Sequence, residues 1–194
     1  MTLRQLVVVG CSWGGAEAVA EILGRLPADL AAAIVVAQHR GPQSSSVRLL
    51  SFLEVRSRLR VTEAYDKEAI QLGCVYVAPA DYHLLVEPDF LSLSTEEAIR
   101  HSRPSIDVLF ESAADVYGAH VVAVLLTGAN RDGARGLARV KDKGGLTIVQ
   151  DPESAVRREM PDAAIATGAV DHVLVLPEIA GQLVETCGRV GVVG

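Results

Sequence analysis

Three runs of consecutive apolar, largely β-branched residues stand out along the chain, at 6–10, Ala33–Gln38 and 121–126. A strand covered on both faces has no reason to alternate apolar with polar positions, so each run reads as a buried strand. Helical spacing follows each of them. Between residues 15 and 26, Val19, Ile22, Leu23 and Leu26 recur at i, i+3, i+4 and i+7 with Glu17, Glu21 and Arg25 opposite, and Pro27 helps to stop the helix. Ser44, Ser45 and Ser46 supply N-cap oxygens for a helix reaching about Val55. The run ending at 126 leads through Thr127-Gly128-Ala129-Asn130-Arg131-Asp132-Gly133 into a helix that ends near Lys143, ahead of Gly144-Gly145.

The middle of the chain breaks this rhythm. Residues 74–78, 82–87 and 90–93 are short runs joined by turn-forming residues such as Pro79-Ala80-Asp81, which predicts an antiparallel extension. Arg103-Pro104 reopens helical patterning, with proline at the first helical position and Ile106, Leu109, Phe110, Ala113 and Tyr117 on one face as far as Gly118. A strand at 146–150, a helical piece after Pro161, a strand at 172–176 and a helix from Pro177 complete the order. No linker or repeat interrupts it. The alternation predicts a single α/β domain over 1–194, Rossmann-like and doubly wound: a mostly parallel sheet with helices on both faces and a short antiparallel extension. Ligand chemistry belongs in the strand-to-helix loops at the carboxyl edge of such a sheet.

Composition narrows the function classes. The 194 residues are 49% hydrophobic and 22% charged, enough for a large core without a disulfide or metal staple. A net charge of -6 argues against a broad basic surface for nucleic acid. Cys11, Cys74 and Cys187 are too scattered for a disulfide framework or a zinc site. The longest apolar stretch, residues 30–37, falls well short of the roughly 18 residues a membrane span needs. Met-Thr-Leu-Arg-Gln runs straight into the first strand with no secretory h-region, so a cytoplasmic chain with no membrane insertion is expected.

Three loops carry candidate chemistry. In Gly10-Cys11-Ser12-Trp13-Gly14-Gly15 a dinucleotide fingerprint would need glycine at position 12, and a Walker loop would need Gly-Lys where Gly15-Ala16 stands. What remains is a GxSxG turn that projects Ser12 at the positive end of a helix dipole, with a helix N-cap as its equal competitor. The α/β-hydrolase form of that turn fits badly, because only 11 residues precede Ser12 and that fold draws an oxyanion donor from upstream. Among five histidines His39 alone directly follows a buried strand; the competing reading is a loop histidine bonded to backbone. His83, His101, His120 and His172 read as strand, loop or surface positions. Asp132 is the best-placed carboxylate, against a role as N-cap or turn residue, and Asp81 and Asp151 are weaker because each sits in a turn-like context with a proline close by. Ser12, His39 and Asp132 each follow a predicted parallel strand, so their loops converge.

Six segments together resemble the catalytic domain of the chemotaxis protein-glutamate methylesterases, the CheB family. They are Val-Val-Gly-Cys-Ser-Trp-Gly-Gly (8–15), Val-Ala-Gln-His (36–39), Val-Ala-Pro-Ala-Asp-Tyr-His (77–83), Arg-Pro-Ser-Ile-Asp-Val-Leu-Phe (103–110), Leu-Leu-Thr-Gly-Ala-Asn-Arg-Asp-Gly-Ala (125–134) and Met-Pro-Asp-Ala-Ala (160–164). The resemblance runs from Leu6 to about Leu183. It implies Ser12 as nucleophile, His39 as general base and Asp132 as the orienting acid, with no cofactor. Trp13, Gly14, Ala129, Arg103 and Met160 are implied at the oxyanion or the substrate, the backbone amides of Trp13 and of the 128–130 loop being the oxyanion donors. The implied substrates are glutamyl methyl esters on the cytoplasmic helices of methylated chemoreceptors, or on a related signalling protein, with glutamine deamidation as a second activity. The rivals are hydrolysis of some other ester or amide and a non-catalytic partner-binding module on the same fold. The receiver domain common in the family is absent from these residues, which reads as a stand-alone esterase or an excised piece. Ala129-Asn130-Arg131 stands where the family commonly has Met-Gly followed by an acidic or amide residue. Arg40, Arg103 and Arg131 suggest a basic rim suited to a carboxylate-rich helix.

Overall fold

The computed structural model describes residues 5–41, 43–99 and 102–190. His101 and the first four residues lie outside them. In chain order the elements are β1 (Leu6–Cys11), α1 (Gly15–Arg25), β2 (Ala33–Gln38), α2 (Ser46–Glu54), β3 (Arg60–Glu63), β4 (Glu68–Ala69), β5 (Cys74–Val77), β6 (His83–Glu87), β7 (Phe90–Ser94), α3 (Ile106–Tyr117), β8 (Val121–Leu125), α4 (Ala134–Asp142), β9 (Leu146–Gln150), α5 (Glu159–Ile165), β10 (His172–Leu174) and α6 (Leu176–Cys187). Seven strands form one parallel sheet in the order β10-β9-β8-β1-β2-β5-β3. The strands β4, β7 and β6 make a separate antiparallel sheet.

Side chains alternate across β1, so Leu6 and Val8 enter one core while Val7, Val9 and Cys11 enter the other. Helices α3, α4 and α5 cover the first face; α1, α2 and α6 cover the second. This is the doubly wound arrangement expected. Three expectations need correction. Strand β5 does not belong to the antiparallel extension: it inserts between β2 and β3 as a parallel strand, and all its residues are buried, as a strand covered on both faces requires. Helix α3 starts at Ile106 with Ser105 as N-cap, leaving Pro104 outside it. Helix α5 starts at Glu159, so Pro161 sits in its first turn, where a missing N–H breaks no helical bond.

One packing detail positions the site. Gly136 of α4 lies so near α3 that a Cβ there would stand 2.6 Å from the Phe110 Cβ and 3.0 Å from the Asp107 carbonyl oxygen. The two helix starts exchange carboxylates across this contact. Asp107 Oδ1, in the first turn of α3, accepts the N–H groups of Gly133 (2.9 Å) and Gly136 (2.8 Å) at the start of α4. Asp132, just ahead of α4, accepts those of Ile106 (2.7 Å) and Asp107 (3.0 Å) at the start of α3. Each carboxylate satisfies orphan amides of the other helix and meets its positive end.

Candidate active site

Strand order β8-β1-β2 sets the loops after these three strands side by side. Ser12 is the first residue beyond β1; its N–H donates to the Thr127 carbonyl at 2.9 Å and its carbonyl accepts the Gly15 N–H at 2.9 Å. The N-cap of α1 is Gly14, in the left-handed region at φ 78, so Ser12 does not serve as that cap. Glycine suits Gly14 twice over, because a Cβ there would also come within 2.8 Å of Val156. His39 is the first residue beyond β2 and its backbone N–H donates to the Cys11 carbonyl at 3.0 Å. Its ring bonds side chains: Nε2 lies 2.7 Å from Asp132 Oδ2, and Nδ1 lies 3.3 Å from the Asn130 side-chain nitrogen.

Asp132 is fully buried. Oδ2 accepts from His39 and the Ile106 amide, and Oδ1 accepts from the Ser105 hydroxyl (2.9 Å) and the Asp107 amide. Burial alone would raise this carboxyl, but the bonds from His39, Ile106 and Asp107 outweigh it and hold the group below the usual carboxylate range. An ionised Asp132 can only accept, so His39 Nε2 carries a proton, and in the neutral imidazole Nδ1 then holds the lone pair. Ser12, His39, Arg40, Gly41, Ser102, Arg103 and Asn130 line one open cleft of about 370 Å³. No hydrogen bond joins Ser12 to His39 across it.

The other sequence candidates separate. Trp13 is 70% exposed beside Ser12 and so has no packing role. The amides of Trp13, Gly14, Ala129 and Asn130 make no hydrogen bond within the described residues, whereas the Gly128 amide is taken by the Arg157 carbonyl at 3.1 Å. Met160 does not line the cleft: it is fully buried, its N–H donates to the Gly128 carbonyl, and its sulfur and terminal methyl fill the space beside Gly128. Arg103 lines the cleft but is held by Asp81 Oδ1, at 3.0 Å from Nε and 2.6 Å from Nη2. Arg40 is no free rim cation either; its side chain is 7% exposed, donates to the Ala78 carbonyl at 2.6 Å and lies 3.9 Å from Glu63. Of the basic rim only Arg131 remains exposed and without an ion pair among the described residues. Asp151 accepts the Glu153 N–H in a turn. Cys11 is buried, and burial with Glu17 nearby pushes its thiol up to about 12, the opposite of an activated nucleophile.

Four further residues escape a reading of the sequence. Ser105 and Asp107 sit in the segment 103–110, but their bonds to Asp132 depend on α3 meeting α4. His83 is buried, accepts the Ser105 N–H on Nδ1 at 3.1 Å and faces the Glu97 carbonyl with Nε2 at 3.1 Å. It thereby supports the serine that bonds Asp132. Asn130 bonds both His39 and the Asp132 backbone. Its only signals were a loop amide two residues from a candidate acid and a place in the Ala129-Asn130-Arg131 departure from the family pattern.

Comparison with known proteins identifies the family. Residues 7–183 match the family model described as CheB methylesterase. A putative protein-glutamate methylesterase/protein-glutamine glutaminase of Leptospira interrogans is 46% identical over 177 residues, 91% of each chain. Protein-glutamate methylesterase/protein-glutamine glutaminase 1 of Hahella chejuensis is 41% identical over 186 residues, which cover 94% of this chain and 51% of that one. The crystal structure of the Thermotoga maritima CheB methylesterase catalytic domain superposes with a TM-score of 0.91 at 36% identity, covering 95% of this chain and 99% of that one. Sequence, fold and the convergence of the three loops lead to one assignment: this chain belongs to the CheB methylesterase family.

Proposed function

We propose that this chain is a protein-glutamate methylesterase, with Ser12 as nucleophile, His39 as general base and Asp132 as the group that orients and charges the pair. The observation that carries this reading is the His39–Asp132 hydrogen bond of 2.7 Å, which leaves the basic Nδ1 in the cleft that Ser12 lines. On attack, the Ser12 proton passes to Nδ1 as Oγ bonds the ester carbonyl carbon. The carbonyl oxygen becomes an oxyanion, met by the unpartnered amides of Trp13 or Gly14 on one loop and Ala129 or Asn130 on the other. Each such donor is typically worth ~2.7–4 kcal/mol. The tetrahedral species then collapses: its methoxy oxygen takes the proton from His39 as the C–O bond breaks, and methanol leaves. Water, deprotonated by the same nitrogen, attacks the glutamyl-serine ester and releases the glutamate carboxylate and free Ser12. The same steps with ammonia as leaving group give the glutaminase activity named for the relatives.

The substrate is a methylated chemoreceptor helix on the cytoplasmic side. Exposed Trp13 and Val156 offer that helix an apolar rest beside Ser12, and unpaired Arg131 attracts its carboxylates. Among the described residues no helix is long and apolar enough to cross a membrane. The test is methanol release from methylated receptor by the wild type and by Ser12→Ala, with a serine-reactive phosphonate to locate the nucleophile. Release by the wild type alone, with the adduct on Ser12, is expected. Equal release by both proteins removes the enzyme reading. Faster turnover of generic aryl esters than of glutamyl methyl ester redirects the substrate assignment.

A further inference from the structure

Asn130 touches both partners of the His39–Asp132 pair. Its Oδ1 accepts the Asp132 backbone N–H at 3.0 Å, an Asx-turn bond between residues two apart. A backbone N–H can only donate, so the side-chain amide has one orientation, and the group 3.3 Å from His39 Nδ1 is its NH2. That NH2 can likewise only donate. The lone pair on Nδ1, which Ser12 needs for its proton, is therefore already in use. Ser12 makes no bond to His39 although both line the same cleft with Asn130. A protonated Nδ1 would set hydrogen against hydrogen at this contact, so the amide also opposes the imidazolium that forms as Ser12 attacks.

We propose that Asn130 is a latch on the general base: its side-chain amide holds the His39 lone pair and must swing away before Ser12 can transfer its proton. The inference rests on the reading of His39 as the base for Ser12. Asn130 is here a positioning residue, acting through His39 and not on the ester. A bound substrate helix supplies contacts that displace the amide, whereas a small reagent does not. The latch therefore shows most clearly with a small probe.

The experiment measures the rate at which a small fluorophosphonate modifies Ser12 in the full chain, beside methanol release from methylated receptor, for the wild type, Asn130→Ala and Asn130→Asp. Losing one neutral hydrogen bond to the base predicts phosphonylation roughly two- to tenfold faster in Asn130→Ala. Asn130→Asp keeps the acceptor for the Asp132 N–H but offers a carboxylate to Nδ1, which retains a proton there; modification slows by more than tenfold. A purely architectural Asn130 gives the reverse order, with alanine slow and aspartate near the wild type, and that order overturns the latch. So does an alanine variant no faster than the wild type. Should Asn130→Ala fail to fold, ¹⁵N NMR of His39 in the wild type decides: a pyridine-like Nδ1 coupled to the Asn130 NH2 is expected, and a pyrrole-like Nδ1 overturns the proposal. Failure of the underlying reading looks different, with Ser12 unmodified and no methanol released whatever stands at position 130.

Discussion

Asp132→Asn tests the centre of the site with almost no change in shape. The carboxylate is fully buried and each oxygen accepts two hydrogen bonds, Oδ2 from His39 and Ile106, Oδ1 from Ser105 and Asp107. Asparagine has one acceptor oxygen, so its NH2 must meet a backbone N–H in either orientation. With the oxygen toward His39, the NH2 faces the Asp107 N–H and the Ser105 hydroxyl; the hydroxyl can turn to accept, but the amide is orphaned. With the oxygen toward Ser105, the NH2 faces Ile106 and His39 Nε2, which forces the imidazole proton onto Nδ1 and against Asn130. Either way one buried amide loses its partner, a cost of about 1–3 kcal/mol. For a chain of this size that lowers Tm by about 2–4 °C per kcal/mol. Activity separates the orientations. Keeping the tautomer but losing the charge opposite the imidazolium removes a charge-assisted bond of about 1.5–3 kcal/mol, roughly a 10- to 150-fold fall in methanol release. The wrong tautomer costs about 10⁴-fold. Melting curves and methanol release on one preparation report both quantities. A variant that melts with the wild type and releases methanol within a factor of a few of it would refute the assignment of Asp132.

Three other perturbations follow from the packing and the titrating groups. A Cβ on Gly10 would stand 2.2 Å from Ile106 Cγ2, so Gly10→Ala should cost about 1–3 kcal/mol in urea unfolding and shift the amide that bonds Asp132; adding Ile106→Ala should return part of the activity, and no return would show the two effects to be separate. Asp107 is held above the ordinary carboxylate range by burial, with the Asp132 charge adding to the rise against the Gly136 bond. The folded chain therefore binds this proton more readily than the unfolded chain, and its stability rises as pH falls through the raised value toward the ordinary one. Asp107→Asn lacks that gain, so in urea titrations the wild type should improve relative to it as the pH is lowered from neutral through the raised value toward the ordinary carboxylate range; an unchanged difference would contradict the buried, raised carboxyl. Cys11, buried with its thiol pushed up to about 12, should resist a maleimide in the folded chain at pH 8 and react at once in urea. Rapid labelling of the native protein would contradict that burial.

The order of buried strands and the three loop residues were legible because each depends on short-range pattern. An unbroken apolar run marks β1, β2 and β8, and a loop residue that follows such a strand must stand at the carboxyl edge. Strand β3 was missed for the same physical reason: it is an edge strand reading Arg-Val-Thr-Glu, with no continuous apolar run. Strand β5 was found but misplaced, since its apolar run reveals burial and not which neighbour it pairs with. The supporting side chains were illegible for another reason. Ser105 and Asp107 look like first-turn residues of a helix, and Asp132 looks like a residue at the start of the next one; locally each reading is sound. Their true partners appear only when Gly136 lets α3 and α4 approach, so that each helix start is satisfied by the other helix's carboxylate.

Strand order also explains which nitrogen of His39 faces which partner. In the familiar serine-protease arrangement Nδ1 bonds the aspartate and Nε2 the serine. Here Nε2 bonds Asp132 and Nδ1 is left in the cleft. Ser12 leaves β1, immediately beside β2, and the register pairs Cys11 with Gln38, so the serine and the histidine leave their strands side by side. Asp132 lies beyond β8, on the far side of β1, two strand spacings or about 9.6 Å from β2. The imidazole must bridge outward across the serine strand, so its distal nitrogen reaches the carboxylate and its proximal nitrogen stays near the neighbouring loop. The reversal is thus a consequence of placing Ser12, the proposed nucleophile, after the middle strand of three. The same placement puts the 129–131 loop, which precedes Asp132, against the proximal nitrogen, where an amide such as that of Asn130 can reach it.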